Sequence, residues 1–282
     1  MTSVNLEEIL KYNNKDSAIG GLNIYNIEDI TAVLSAADKA NAPIILQTSQ
    51  KALNHSTMED LAHIIKRRSK DLSIPICLHL DHAKDFDLIK KAIELGYSSV
   101  MYDGSKLPLL ENIENTKKVV DYAHKKGVSV EGEVGTITRV TGDNEEANNL
   151  SSPEDVKEFI QSTDVDACAV SIGSKHAVDR QKLKLEIDLL KDINKIAEKL
   201  LVLHGSSGVI ESEIKKAIKN GIKKINVSTR LKTAFCNSIR QVLNEKPDLN
   251  DHVKLLRPSI EAVKKEVKHL LSLYGSENLY RR

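Results

Sequence analysis

The sequence predicts an α/β protein, a (β/α)8 TIM barrel with extra C-terminal helices. Three observations predict it. Eight short apolar runs alternate with eight longer segments of helical period. The units recur at roughly regular spacing with no evident linker, so residues 1–282 read as one domain. Polar residues unsuited to packing collect at the C-terminal ends of the runs, where a parallel barrel builds its site. A doubly wound open sheet usually has fewer strands and a glycine-rich first turn, which is absent here.

Taken in order, the strand candidates are 17–25, 43–49, 74–80, 98–103, 128–134, 167–173, 200–205 and 223–228. Helical periodicity marks 28–40, 58–70, 86–95, 112–125, 153–161, 183–198, 210–219 and 229–243 between them. Ser56-Thr57 ahead of Glu59 is a capping signal, and Ser152 caps a helix that starts at Pro153. Gly96, Gly127 and Gly221 follow helix ends, where a left-handed residue is wanted. Two segments fall outside the repeat. The loop "TRVTGDNEEANNLSS" (138–152) is long and polar and reads as a mobile active-site loop or lid. The final stretch, from Asn244 to Gly275, reads as one or more packing helices.

Composition excludes several classes. The 282 residues are 40% hydrophobic and 29% charged, with 41 Lys plus Arg against 40 Asp plus Glu. A net charge of +1 gives no footprint for nucleic acid or an anionic membrane. No apolar run approaches the ~20 residues that span a bilayer, and "MTSVNLEEILKYNNKD" is amphipathic rather than a signal peptide. Cys77, Cys168 and Cys236 form no CxxC pair, which suits a reducing compartment. The expected location is cytoplasmic.

The chemistry lies at the strand ends. They carry Asn23, Gln47 and Ser49, then His79 to His82, Asp103, Glu131 and Glu133. Ser171, Gly173 and His176, His204 to Gly208, and Asn226, Ser228 and Thr229 follow. His55, His63, His124, His252 and His269 fall in loops or on helices and are expected on the surface. His82, His176 and His204 end three separate strands. Singly, each is more often a hydrogen-bonded structural histidine than a ligand. Converging on one rim, three neutral imidazoles leave Zn²⁺ an open fourth position. Asp103, Glu131 and Glu133 could orient the imidazoles, bind a second cation or handle protons. By simple alternation His79 and Asp81 share one strand face, so His82 is expected just past the strand. "LHGSSG" (203–208) and "INVSTR" (225–230) each run straight into a helix, and backbone N–H groups there form an anion site.

With these residues in place the sequence resembles the class II, metal-dependent fructose-bisphosphate and tagatose-bisphosphate aldolases. The likeness covers nearly the whole chain and rests on "HLDHAKDFDLIKKAIELGYSSVMYDGS", "VEGEVGTI", "VDACAVSIGSKHA", "LVLHGSSGV" and "GIKKINVSTRLK". It implies Asp81 as proton-transferring acid/base and His82, His176 and His204 as ligands of one catalytic Zn²⁺. Asp103 and Glu133 match positions linked to a secondary metal site or to movement of the zinc, and the implied cofactor is one catalytic Zn²⁺, with a second metal or a monovalent cation as an option. Asn23 and Ser49 match substrate positions, while Ala177, Gly205, Ser207, Asn226, Ser228 and Thr229 match the cradle of dihydroxyacetone phosphate. The implied reaction is reversible cleavage of fructose or tagatose 1,6-bisphosphate, by a homodimer or homotetramer. Ala177 replaces the family's glycine, and Thr138-Arg139 replaces the Gly-Gly of its lid.

Other readings stand beside it. A diverged paralogue could act on another phosphorylated ketose, or bind metal and metabolite without turnover. A phosphosugar epimerase could share the barrel, and a Schiff-base aldolase would need a lysine inside it, for which Lys175 is the candidate.

Overall fold

The computed structural model describes residues 3–139, 149–178 and 180–280. Residues 140–148, the greater part of the expected lid, lie outside the described residues.

The chain starts with α1 (Leu6–Leu10), then β1 (Ile19–Asn23), α2 (Ile27–Lys39), β2 (Ile44–Ser49), α3 (Gln50–Leu53) and α4 (Met58–Ser69). It continues with β3 (Ile76–Ala83), α5 (Phe86–Glu94), β4 (Ser99–Tyr102), α6 (Leu109–His124), β5 (Ser129–Val134) and α7 (Pro153–Thr163). Then come β6 (Ala167–Val170), α8 (Ile187–Ile196), β7 (Leu200–Leu203), α9 (Glu211–Lys219), β8 (Ile222–Val227), α10 (Thr229–Glu245) and α11 (His252–Leu273). All eight strands are parallel and close in sequence order, with β8 pairing back onto β1.

Alternation along each strand divides the core. In β3, Ile76, Leu78 and Leu80 join the apolar layer between barrel and helices. Cys77 instead packs inside the barrel with Ile19, Ile45, Ala167, Ala169 and Val202. Leu6, Ile9 and Leu10 of α1 complete that inner cluster, so the N-terminal helix plugs the bottom of the barrel. The Asn5 and Glu8 capping box starts this short helix. The sequence showed an amphipathic stretch here; its apolar face is the plug.

At the C-terminal end, α11 is one continuous helix despite Pro258 and packs against α2 and α10. Thr57 and Ser152 cap α4 and α7 as expected. His55, His63, His124, His252 and His269 are all exposed.

The expectation that His82 lies past the end of its strand is corrected. β3 runs through Ala83, and between Leu80 and Ala83 it spends one more residue than its partner β4. His82 occupies this bulge with φ of 53°, a left-handed conformation that re-aims the side chain. Asp81 and His82 therefore both serve the barrel interior, although they are adjacent in sequence.

Candidate active site

Above the apolar plug, the inward positions turn polar. On β3 His79 and Asp81 follow Cys77; on β5 Glu131 and Glu133 follow Ser129; on β8 Lys224 precedes Asn226. A cavity of about 520 Å³ opens over them at the C-terminal rim. Asn23, Ser49, Asp81, His82, Asp103, Glu133, His176, Ala177, Gly205, Ser207, Asn226, Ser228 and Thr229 all line it, and His204 lies just beneath its floor.

One ligand atom from each of His82, His176 and His204 falls within 4.8 Å of the others. His82 Nε2 faces His204 Nδ1 at 2.9 Å. The opposite nitrogen of each ring is anchored by a carboxylate: His82 Nδ1 bonds Asp103 Oδ2 at 3.0 Å, and His204 Nε2 bonds Glu131 Oε1 at 2.8 Å. Such anchoring fixes the tautomer and leaves the facing nitrogens free to ligate. His82, Asp103 and Glu133 form a second, overlapping set of donors.

The electrostatics fit a cation. Burial opposes charge on His82, yet Asp81, Asp103 and Glu133 overcome it and push the imidazole up to about 10. Burial holds His176 and His204 well below the usual histidine range, so both stay neutral. Burial also pushes the Glu133 carboxyl up to about 8, against the pull of His82. Glu133 Oε2 is sealed from solvent with no hydrogen-bond partner among the described residues. Two neutral imidazoles, a third drawn toward positive charge by the carboxylates around it, and an orphaned buried oxygen make a site suited to a divalent metal.

Asp81 is held from two sides. Its Oδ2 accepts from Asn23 Nδ2 at 2.9 Å and its Oδ1 from Asn226 Nδ2 at 3.2 Å. Gln47 Nε2 donates to Asn23 Oδ1 at 3.1 Å and fixes that amide's orientation. A Cβ at Gly21 would collide with the Gln47 and Asn226 amides, so glycine there leaves room for the network. His79 stays apart, fully buried and bonded to Ser99 Oγ at 2.8 Å.

The loops after β7 and β8 lie side by side. Gly205 has φ of 63°, and a Cβ there would meet the Lys175 backbone at 2.7 to 3.0 Å. Ser206 Oγ bonds the Asn226 carbonyl at 2.7 Å and ties the two loops together. Ser228 precedes α10, with Thr229 at its first position, and Tyr25 Oη sits 2.8 Å from Ser228 Oγ. Ala177 takes φ of 63°, so alanine adopts the left-handed backbone that favours glycine.

The model for "Fructose-bisphosphate aldolase class-II" matches residues 4–279. The chain belongs to the class II fructose-bisphosphate aldolase family. It is 37% identical over 263 residues to the sulfofructosephosphate aldolase of Alkalicoccus urumqiensis, covering 92% of each chain. It is 38% identical over 266 residues to a fructose-bisphosphate aldolase of Staphylococcus aureus, covering 93% of each. The crystal structure of the YdjI aldolase from Escherichia coli K12 superposes with a TM-score of 0.86 at 29% identity, covering 99% of each chain. The chain is thus a class II aldolase, a lyase built on a closed (β/α)8 barrel.

Sequence reasoning missed a buried residue beneath the site of this aldolase, and also the cavity-lining Lys51 and Lys232. Lys175 is the lysine the sequence offered for the barrel interior, but among the described residues Lys224 is the one fully buried there. Its Nζ lies 2.9 Å from Glu131 Oε2 and 2.6 Å from Asn226 Oδ1. The signal was available: Lys224 stands two residues before Asn226 and must face the same way along β8.

Proposed function

We propose that this aldolase cleaves a ketose bisphosphate, fructose or tagatose 1,6-bisphosphate, reversibly to dihydroxyacetone phosphate and glyceraldehyde 3-phosphate. His82, His176 and His204 would hold a catalytic Zn²⁺, with Asp103 and Glu133 available to a second metal or a monovalent cation. When bound, the zinc supplies electrophilic stabilisation of the negative charge that develops as the carbon–carbon bond breaks. Asp81 takes the proton of the C4 hydroxyl as the C3–C4 bond breaks, and returns it in condensation. Asn23 and Asn226 aim its two oxygens, each accepting an amide N–H. Gly205 and Ser207, with Ser228 and Thr229 at the start of α10, cradle the phosphate of the three-carbon unit. Ser49 at the end of β2 lies on the aldehyde side. The observation that carries the reading is that Asp81, His82 and His176 line one cavity, with His204 converging on the other two imidazoles from beneath its floor.

A second reading concerns the far end of the substrate. Lys51, Arg139 and Lys232 line the cavity, and no ion-pair carboxylate faces them among the described residues. Lys232 sits half-buried, its ammonium pulled down by burial and by the charges of Lys51 and Arg139. Such a wall suits a terminal anion, and one 37% identical relative is named a sulfofructosephosphate aldolase. The test is triose-phosphate release by the zinc-loaded enzyme from fructose and tagatose 1,6-bisphosphates and from a 6-sulfo ketose 1-phosphate. Preference for a bisphosphate supports the first reading, and preference for the sulfonate the second. A zinc-loaded enzyme inactive on all three overturns both and favours a non-catalytic barrel.

A further inference from the structure

We propose that Lys224 is a positioning residue of the metal site, holding His204 and Asp81 in place from below. The ammonium is wholly buried and lies under the cavity floor rather than on its wall. It contacts two acceptors, and each leads to a different half of the site. One branch runs from Lys224 Nζ to Glu131 Oε2 at 2.9 Å, and from Glu131 Oε1 to His204 Nε2 at 2.8 Å. The other runs from Nζ to Asn226 Oδ1 at 2.6 Å, and from Asn226 Nδ2 to Asp81 Oδ1 at 3.2 Å.

Each branch solves a geometric problem. Glu131 is fully buried, and a carboxyl group there needs a paired cation to offset the loss of solvent. Lys224 supplies it, so Glu131 accepts the Nε2 proton of His204 and leaves Nδ1 bare toward His82. The Asn226 amide could otherwise flip. Binding its oxygen turns the NH₂ group upward, where it lies 3.2 Å from Asp81 Oδ1 and 3.1 Å from His204 Nε2. Because that ring nitrogen already gives its proton to Glu131, the amide donates to Asp81. One ammonium therefore sets a ligand tautomer and the aim of the acid/base together. The same contacts keep Lys224 from serving as a Schiff-base nucleophile, since its nitrogen is enclosed by Glu131 and Asn226 below the substrate space.

The inference rests on the zinc reading, and its test separates the two. Zinc affinity is measured by competition with a chromogenic chelator, and the His204 tautomer by ¹⁵N NMR of the zinc-loaded protein. In the unmutated chain His204 is expected to bind through Nδ1 with Nε2 protonated; the reverse tautomer overturns the proposal. Lys224→Met is expected to weaken zinc binding by ~10–100-fold, the range found when a partner behind a metal-binding imidazole is lost. It should lower kcat while leaving KM within a few-fold, because the phosphate loops are untouched. Equal zinc affinity and the same tautomer, with only a lower Tm, would make Lys224 structural and refute the idea. Should Lys224→Met fail to fold, the double variant Lys224→Met/Glu131→Gln removes the stranded charge and is read the same way. Wild-type zinc affinity in the double variant counts against the proposal. If the unmutated chain binds no zinc, the failure is that of the zinc reading instead.

Discussion

Replacing Asp81 with alanine separates proton transfer from metal binding. Asp81 belongs to neither group of converging metal donors among the described residues, and both of its oxygens already accept amide N–H groups from Asn23 and Asn226. The three imidazoles and their anchors, Asp103 and Glu131, are untouched by the change. Zinc content should therefore stay near stoichiometric. The two amides that now donate to Asp81 would face a water-filled cavity, so the stability cost should not exceed ~1 kcal/mol. Loss of a positioned acid/base typically costs ~10²–10⁴ in rate, or about 3–5 kcal/mol of transition-state stabilisation. Asp81→Asn should do no better, since its NH₂ group would confront the NH₂ of Asn23 or Asn226. The assay couples dihydroxyacetone phosphate release to NADH oxidation, with metal analysis on the same samples. A variant that keeps its zinc and turns over within tenfold of the parent would refute the role given to Asp81. So would a loss of activity fully explained by lost zinc.

Gly205→Ala places a methyl group 2.7 to 3.0 Å from the Lys175 backbone at a φ of 63°. A raised KM for phosphorylated substrate and a Tm lower by several degrees are expected, given a left-handed cost of ~1–2 kcal/mol; an unchanged KM would remove Gly205 from the phosphate cradle. Asp29 gives a pH prediction away from the metal. Burial, the leading cause, raises its carboxyl to about 6, against N–H donation from Tyr25 and Asn26. The folded state then holds the proton more tightly than the unfolded chain, so this group favours folding below pH ~4 and loses that contribution as pH rises through ~6. Asp29→Asn should be more stable than the parent at pH 8, by up to about 3 kcal/mol, with the gap closing near pH 4. Urea unfolding of both chains at the two pH values checks it, and a gap independent of pH contradicts it.

Much of the barrel was legible because strand period and helix punctuation agree along the chain. Cys77, His79 and Asp81 face inward and Ile76, Leu78 and Leu80 outward, as alternation requires. His82 defied the same rule, since a one-residue bulge is a backbone event with no side-chain pattern to announce it. Lys224 was hidden for a different reason: lysine is taken as a surface residue, and its partner Glu131 lies on a distant strand. The short helix α1 read as amphipathic, but nothing local showed that its apolar face would close the barrel floor. The family resemblance supplied roles for Asp81, Gly205 and Ser207 that spacing alone left open. The long polar loop remains an expectation for 140–148, while its described flanks are tied down by Ser151 Oγ donating to the Val134 carbonyl at 2.6 Å.

The central claim is metal-dependent carbon–carbon cleavage at the imidazole triad. It is tested most directly by following triose-phosphate release from a ketose bisphosphate before and after chelation, with borohydride added in parallel. The account predicts that a chelator abolishes turnover, that added zinc restores it, and that borohydride with substrate traps no covalent adduct. Turnover that persists in chelator, or a substrate-dependent borohydride adduct on a lysine, would contradict it.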